Sequence, residues 1–425
     1  MGTKIIGSGI AGISAGYHLN QQGDEVEIFE QDSDWGGLCA NFTINGFRFD
    51  KFVHFTFAND EYIKNIFENS SPTHSHPSIS YNFYKGYWLK HPAQNNLAQL
   101  PLAEKIKIIL DFAKRKNIPF EKLENYEQWL LAQYGKYFSE NFPMIYTKKY
   151  WGLEANELET KWIGKRMHSP SLKEVIKGAI KTQEENFYYT NYMKYPKVGG
   201  FRSILNDCRK NLDIKFNKKV IRINPIDKIL YFSDNTTSYY DNLISTIPLP
   251  KIAKIIDNCP ENIKEAANNL HHTSGYMVSL GFNRADIAKH LWFYIYDKDI
   301  LASRVYSPSL KSKDNVPNGC SSLQAEIFFD NKEEMPDKET VLKNTVEKLS
   351  QICNFSEEEI IVKDIRFEKY ANVTFDKNIY QNRQIVLDYL KEININSIGR
   401  FGKWEYMWTH QAFQDGINIA KAILK

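Results

Sequence analysis

Cysteine is scarce. The five present (Cys39, Cys208, Cys259, Cys320 and Cys353) are scattered and odd in number. No CxxC pair occurs, which argues against a zinc site or a disulfide framework and fits a reducing cytoplasm. No apolar run is long enough to span a bilayer, so no membrane insertion is expected. The first apolar stretch is broken by glycine, which argues against a secretory leader. Ile6 stands where an N-myristoylation signal needs Ser or Thr. Net charge is only +3, too weak a field to draw nucleic acid or an anionic membrane to the whole surface. Any anion must be recognised locally. No repeat period and no low-complexity linker is visible. At 425 residues the chain can bury two or three cores.

What is present starts close to the N-terminus. Residues 4–6 read as a strand, 10–21 as a helix and 25–29 as a second strand. Gly7, Gly9 and Gly12 form G-x-G-x-x-G between the first strand and the helix. The first glycine permits a tight turn, the second lets backbone approach a pyrophosphate, and the third lets helix and strand pack closely. Glu30 ends the second strand 18 residues after Gly12, where a carboxylate can accept hydrogen bonds from ribose hydroxyls. Together these predict a dinucleotide site but do not separate FAD from NAD. Gly36 and Gly37 then form a second flexible loop.

Further along, Leu102, Ile106, Ile109, Leu110 and Ala113 recur at helical spacing, which argues for a helical insertion over 97–185. Residues 218–250 alternate and are rich in turn formers, so they read as a strand meander. Residues 277–370 mix strand-like segments with one helix near 338–352. The stretch from Gln411 reads as a closing helix.

The glycine pair Gly36–Gly37 resembles the one that follows the Rossmann motif in flavoproteins of the amine-oxidase and nucleotide-sugar-mutase group, which implies FAD. Several downstream segments resemble the UDP-galactopyranose mutase family, especially its eukaryotic-type members. "FDKFVHFTF" (49–57) is similar to the segment that sets a histidine and an aromatic beside the flavin, implying those roles for His54 and Phe57. "YTKKYWG" (146–152) and "WIGKRMHSPSLK" (162–173) resemble the stretch whose arginine contacts the substrate diphosphate, here Arg166. "NYMKYPKVGG" (191–200) is similar to the segment entering the second cofactor contact, and Asn191 within it is assigned to the substrate. "WFYIYDKDILASRVYSP" (292–308) resembles an aromatic strand pair ending in a second diphosphate arginine, giving Tyr294 and Arg304. "SIGRFGKWEYMW" (397–408) resembles a C-terminal signature that puts Arg400 near the flavin and Tyr406 near the substrate. Tyr370 is the nearest candidate for a phosphate-gripping tyrosine, and Val220 is assigned to the cofactor. One departure is plain: the run after Tyr406 is "THQAFQDG", shorter by two residues than the eukaryotic-type pattern.

The resemblance implies an α/β fold. A Rossmann-type FAD-binding domain would span 1–88 with 196–248 and 384–425. A helical insertion would span 89–195, and a sheet-based substrate domain 249–383. It implies a pyranose–furanose mutase of a nucleotide-diphosphate sugar with no net redox change. In that chemistry N5 of reduced flavin attacks the anomeric carbon, and the catalytic set is His54, Arg166 and Arg304. NAD(P)H is the candidate reductant, and oligomeric state stays open. Two other readings remain: an amine-oxidase-like or desaturating oxidoreductase, and a nucleotide-sugar binding protein without turnover.

Local sequence alone permits plainer roles. His54 fits a packed core histidine, and Arg166, in a helix-like stretch, fits a solvated basic face. Arg304 lies among apolar strand residues, where a salt bridge within the protein would also satisfy it. Trp292 and Tyr294 read equally well as strand packing.

Overall fold

The structure is a computed structural model that describes residues 2–116, 118–164, 166–188 and 190–425. A five-stranded parallel sheet runs in the order Ile395–Ser397, Asn242–Ser245, Thr3–Ile6, Val26–Phe29 and Asp213–Lys215. Its strands come from three distant parts of the chain. The central strands carry runs of buried apolar residues because a parallel sheet is covered on both faces, while the edge strands Ile395–Ser397 and Asp213–Lys215 are more polar. Ile5 pairs with Ile28 on one side and Ile244 on the other, and all three are fully buried. Each such side chain contributes roughly 1.5–3 kcal/mol by leaving water.

The helix Ile10–Asn20 starts at the glycine turn and packs against the closing helix Thr409–Ile423. Small residues make that approach close. A Cβ on Gly416 would stand 2.6 Å from the Ser14 Cβ and 2.7 Å from the Ala11 carbonyl oxygen. The Ser14 hydroxyl donates to the Phe413 carbonyl at 2.6 Å, fixing the register of the two helices.

The expected meander over 218–250 needs correction. Val220–Asn224, Ile229–Phe232 and Thr237–Tyr239 do form a three-stranded antiparallel sheet. Asn242–Ser245 leaves it and joins the parallel sheet beside Thr3–Ile6. Its last three residues are buried in succession, the mark of a strand covered on both faces rather than of an alternating edge.

A second, seven-stranded sheet runs in the order Ile360–Val373, His272–Phe282, Ser321–Asp330, Arg304–Tyr306, Trp292–Ile295, Tyr81–Tyr84 and Tyr87–Lys90. Neighbours are antiparallel except Trp292–Ile295 and Tyr81–Tyr84, which run parallel. The last two strands lie before or across residue 88, yet they pair here and not with the nucleotide-binding sheet. A boundary at 88 therefore cuts through a hairpin, which a propensity change cannot reveal.

Between the hairpin and residue 185 the chain is helical: Leu102–Lys114, Tyr126–Tyr134, Lys136–Asn141, Pro143–Trp151 and Leu172–Ile180. The first of these forms where the periodicity placed it. Its core-facing residues are Ile108 and Phe112, while Leu102, Ile106 and Leu110 point outward at 70%, 47% and 53% exposure.

Candidate active site

One cavity of about 980 Å³ runs from the glycine turn, across the top of the parallel sheet, to the face of the seven-stranded sheet. At its nucleotide end, Gly7 has φ +99°, and a Cβ there would lie 2.1 Å from the Thr246 hydroxyl oxygen. At Gly12 a Cβ would lie 2.0 Å from the Gly7 carbonyl oxygen, so this glycine makes the strand–helix contact. Gly9 differs. Its φ of −72° and ψ of 177° suit any residue, and the nearest atom to an added Cβ is Gly37 Cα at 4.0 Å. The protein itself gives Gly9 no reason to be glycine; a ligand lying against the backbone there would. Gly9 bridges to Gly36, whose N–H donates to the Ser8 carbonyl at 3.0 Å, so the two glycine loops form one rim. Glu30 lies on this rim and is nearly buried. One of its carboxylate oxygens accepts from the Ser8 N–H and hydroxyl at 2.8 and 2.7 Å, the other from the Asp32 N–H at 3.0 Å.

The opposite end is lined by cations and rings. Tyr294, Arg304 and Glu326 lie in one row across three antiparallel strands. Glu326 is wholly buried; it accepts from Arg304 Nε at 2.8 Å, from Arg304 Nη2, and from the Val53 N–H at 2.6 Å. Arg304 thus lines the cavity and is also salt-bridged within the protein.

Arg166 is not helical. It sits in an irregular segment between two elements, where Nη1 donates to the Trp162 carbonyl at 2.7 Å and Nη2 to the Tyr406 carbonyl at 3.2 Å. Its guanidinium lies 4.6 Å from the Tyr406 ring centre and 5.1 Å from that of Trp408. Arg400 approaches the same Tyr406 ring at 5.1 Å. Its Nη2 donates at 3.1 Å to Asn372 Oδ1, which also accepts from the Tyr150 hydroxyl at 3.2 Å. Tyr150 in turn lies 5.7 Å from the Arg304 guanidinium. A chain of contacts thus joins the three arginines through Tyr150, Asn372 and Tyr406. Arg400 Nε is buried with no acceptor among the described residues, leaving a donor for a ligand.

His54 borders the same cavity, stacked on Phe201 at 5.0 Å. Burial pushes its pKa down to about 4, against an opposing pull from Asp50 and with help from Lys311 and Arg400. It is neutral at physiological pH. Its Nδ1 lies 3.3 Å from the Phe52 carbonyl, the only role for which is as donor, so Nε2 is left as an acceptor. Beneath it, Asp50 and Lys311 form a buried pair at 2.5 Å, and Asp50 also accepts from the Tyr195 hydroxyl and the Phe201 N–H. That pair holds Phe201, and through it the imidazole.

The cavity thus gathers Gly7, Gly9, Glu30, Gly37, His54, Phe57, Arg166, Tyr294, Arg304, Tyr370, Arg400 and Tyr406. Three expected residues lie outside its lining. Gly12 packs behind the turn, and Val220 is buried within the core cluster of the meander. Asn191 is exposed, and its carbonyl accepts from the Ser78 N–H at 3.0 Å. Sequence reasoning missed Tyr146 and Tyr150, which stack 5.4 Å apart one turn from each other on the helix Pro143–Trp151. Their spacing of four in "YTKKYW" was a usable signal. Asn372 gave none.

A family profile of flavin-containing amine oxidoreductases matches residues 10–396. The chain belongs to that family. The crystal structure of a reduced UDP-galactopyranose mutase superposes with a TM-score of 0.92 at 21% identity, covering 99% of this chain and 95% of that one. The mutase-like flavoprotein fold that the sequence blocks implied is therefore present. A CLA-producing fatty acid isomerase from P. acnes follows the same fold at a TM-score of 0.66 and 14% identity, covering 99% of this chain and 98% of that one. An inactive all-trans-retinol 13,14-reductase from Danio rerio is 50% identical over 46 residues, which is 11% of this chain and only 8% of that protein. Gly9, the joined glycine rims and Glu30 fit the dinucleotide half of a flavin cofactor, and the unpartnered Arg400 Nε fits an acceptor deeper in the cavity. Among the described residues no helix is long and apolar enough to cross a membrane, and no cluster of His, Cys, Asp and Glu could hold a metal ion.

Proposed function

We propose that this flavin-family protein is a pyranose–furanose mutase acting on a nucleotide-diphosphate sugar, UDP-galactose or a relative, for cell-surface polysaccharide. The observation that carries this reading is the convergence of Arg166, Arg304 and Arg400 on one cavity that is continuous with the dinucleotide rim. A diphosphate is the kind of substrate such a site holds. Planar guanidinium forks make charge-assisted bonds to phosphate oxygens, and they keep their charge. A cationic amine would be repelled there, which disfavours amine oxidation.

Reduced FAD, held by Gly7, Gly9, Glu30, Gly37 and Arg400, would supply a nucleophile that leaves the overall reaction redox-neutral. The protein's own residues do the rest. Arg166 and Arg304 stabilise the diphosphate as negative charge grows on it. Tyr146, Trp292 and Tyr294 wall the cavity and exclude water from a cationic sugar. Neutral His54 offers an acceptor at Nε2 and adds no positive charge that would oppose that cation. NAD(P)H is the proposed reductant and the cytoplasm the proposed compartment, in keeping with five unpaired cysteines.

Family membership supports a second reading, a redox flavoenzyme on the same scaffold. One experiment separates the two. Dithionite-reduced protein is incubated without oxidant with a panel of nucleotide sugars, and products are resolved by chromatography. A furanose product formed with many turnovers per flavin supports the mutase. Turnover seen only with stoichiometric oxygen or another acceptor supports the oxidoreductase and overturns our reading.

A further inference from the structure

The outward stripe on the helix Leu102–Lys114 has a counterpart. Leu172, Ile176 and Ile180 recur at the same spacing on the neighbouring helix Leu172–Ile180 and are 37%, 39% and 78% exposed. The two helices pack against each other. Each buries one face, at Ile108 and Phe112 on the first and at Val175, Gly178 and Ala179 on the second. The remaining aliphatic residues stay substantially exposed. A helix that is apolar on both faces keeps its second face for something outside.

The charges around these stripes are not mixed at random. The acids on these two helices are already bonded within the chain. Glu104 accepts from the Tyr84 and Tyr137 hydroxyls at 2.8 and 3.0 Å, Asp111 from the Tyr137 N–H, and Glu174 from the Ser171 N–H at 2.7 Å. The lysines point out. Lys107, Lys114, Lys173 and Lys177 are all exposed, and none makes an ion pair among the described residues. A weak overall charge of +3 therefore conceals a locally basic, aliphatic face.

We infer that this face of the helical insertion is a peripheral membrane-docking surface that lies in the headgroup plane of an anionic lipid bilayer. Exposed aliphatic side chains with exposed, unpaired lysines interleaved among them on both helices match the acyl–headgroup boundary of such a surface. A second copy of the chain is the poorer match, because its face would bring the same unpaired lysines against these. Among the described residues no helix spans a bilayer, so the contact is in-plane and reversible. This inference does not rest on the catalytic reading.

The test is flotation of the full-length, flavin-loaded protein with vesicles of phosphatidylcholine alone or mixed with phosphatidylglycerol. The protein should float with the mixed vesicles, stay behind with the neutral ones, and be released by high salt. Removing two lysines (Lys107→Gln with Lys177→Gln) should lower partitioning roughly thirtyfold. Ile106→Ser with Ile180→Ser should abolish flotation. All four positions are exposed, so flavin absorbance and thermal midpoint should stay at wild-type values and show that the variants are folded. Absence of flotation with mixed vesicles, or flotation that ignores both double variants, would overturn the inference. So would sedimentation showing a dimer that the Ile106 and Ile180 substitutions dissociate.

Discussion

Arg304 and Glu326 face each other on adjacent antiparallel strands, with Glu326 wholly buried and Arg304 only 18% exposed. The arginine therefore has two tasks, neutralising a buried carboxylate and presenting charge to the cavity. Removing it confounds them.

Arg304→Ala should lower stability by about 3–5 kcal/mol, because Glu326 is left buried and unpaired. Adding Glu326→Gln should restore most of that loss, yet nucleotide-sugar affinity should remain reduced in the double variant. Urea denaturation reads the first effect and ligand titration the second. Recovery of affinity along with stability would show that Arg304 only pairs Glu326 and does not hold the diphosphate.

His54 carries a pH signature. Its folded pKa, about 4, lies below the usual histidine value because burial disfavours the imidazolium. The unfolded chain thus binds the proton more readily. Stability from this site is complete above about pH 6.5 and is lost as pH falls toward about 4, at most about 3 kcal/mol in all. His91 and His272 are depressed similarly by burial and contribute in the same window. His54→Gln should flatten part of the decline in thermal midpoint between pH 6.5 and 4. An unchanged slope would mean that the imidazole is not desolvated.

The glycines of the opening motif should respond in opposite ways. Gly9→Ala places a methyl where nothing in the protein is closer than 4.0 Å and where the backbone is already compatible, so the flavin-free fold should gain about 0.4–1 kcal/mol. Flavin retention should fall sharply. Gly12→Ala drives a Cβ to 2.0 Å from the Gly7 carbonyl and should cost about 1–3 kcal/mol with or without cofactor. Absorbance after gel filtration and thermal melts of both forms distinguish the outcomes. Normal flavin content in Gly9→Ala would remove the cofactor from that spot.

The dinucleotide half was legible because its constraints are local. A strand, a turn and a helix within 30 residues carry Gly7, Gly9 and Glu30 to one rim, and spacing alone reports that. The cationic half was legible only through resemblance. Arg166 and Arg400 are 234 residues apart and meet on Tyr406, a contact that no periodicity records. Gly12 packs helix against strand, as its place in the motif predicts, whereas Val220 carries no local pattern and lies in the core. The register that puts Glu326 behind Arg304 depends on sheet order, which is set by tertiary packing rather than by either strand's composition. The outward stripe at Leu102, Ile106 and Leu110 was visible as a period, but a period does not say which face is inside.

Tyr406 offers the sharpest probe of the arginine cluster, because two guanidiniums rest on its ring from different segments. Tyr406→Phe keeps the ring and should leave apparent substrate affinity within about threefold. Tyr406→Leu removes both cation–ring contacts, each worth roughly 0.5–1 kcal/mol at a part-exposed site, so KM should rise about five- to thirtyfold. Flavin content should fall less than substrate affinity, since the glycine rim lies apart from the ring and only Arg400 links the ring to the cofactor. If Phe and Leu behaved alike, the ring would not be what positions Arg166 and Arg400. A large loss already present in Tyr406→Phe would instead assign the role to the phenol oxygen, as a hydrogen-bonding group toward the sugar.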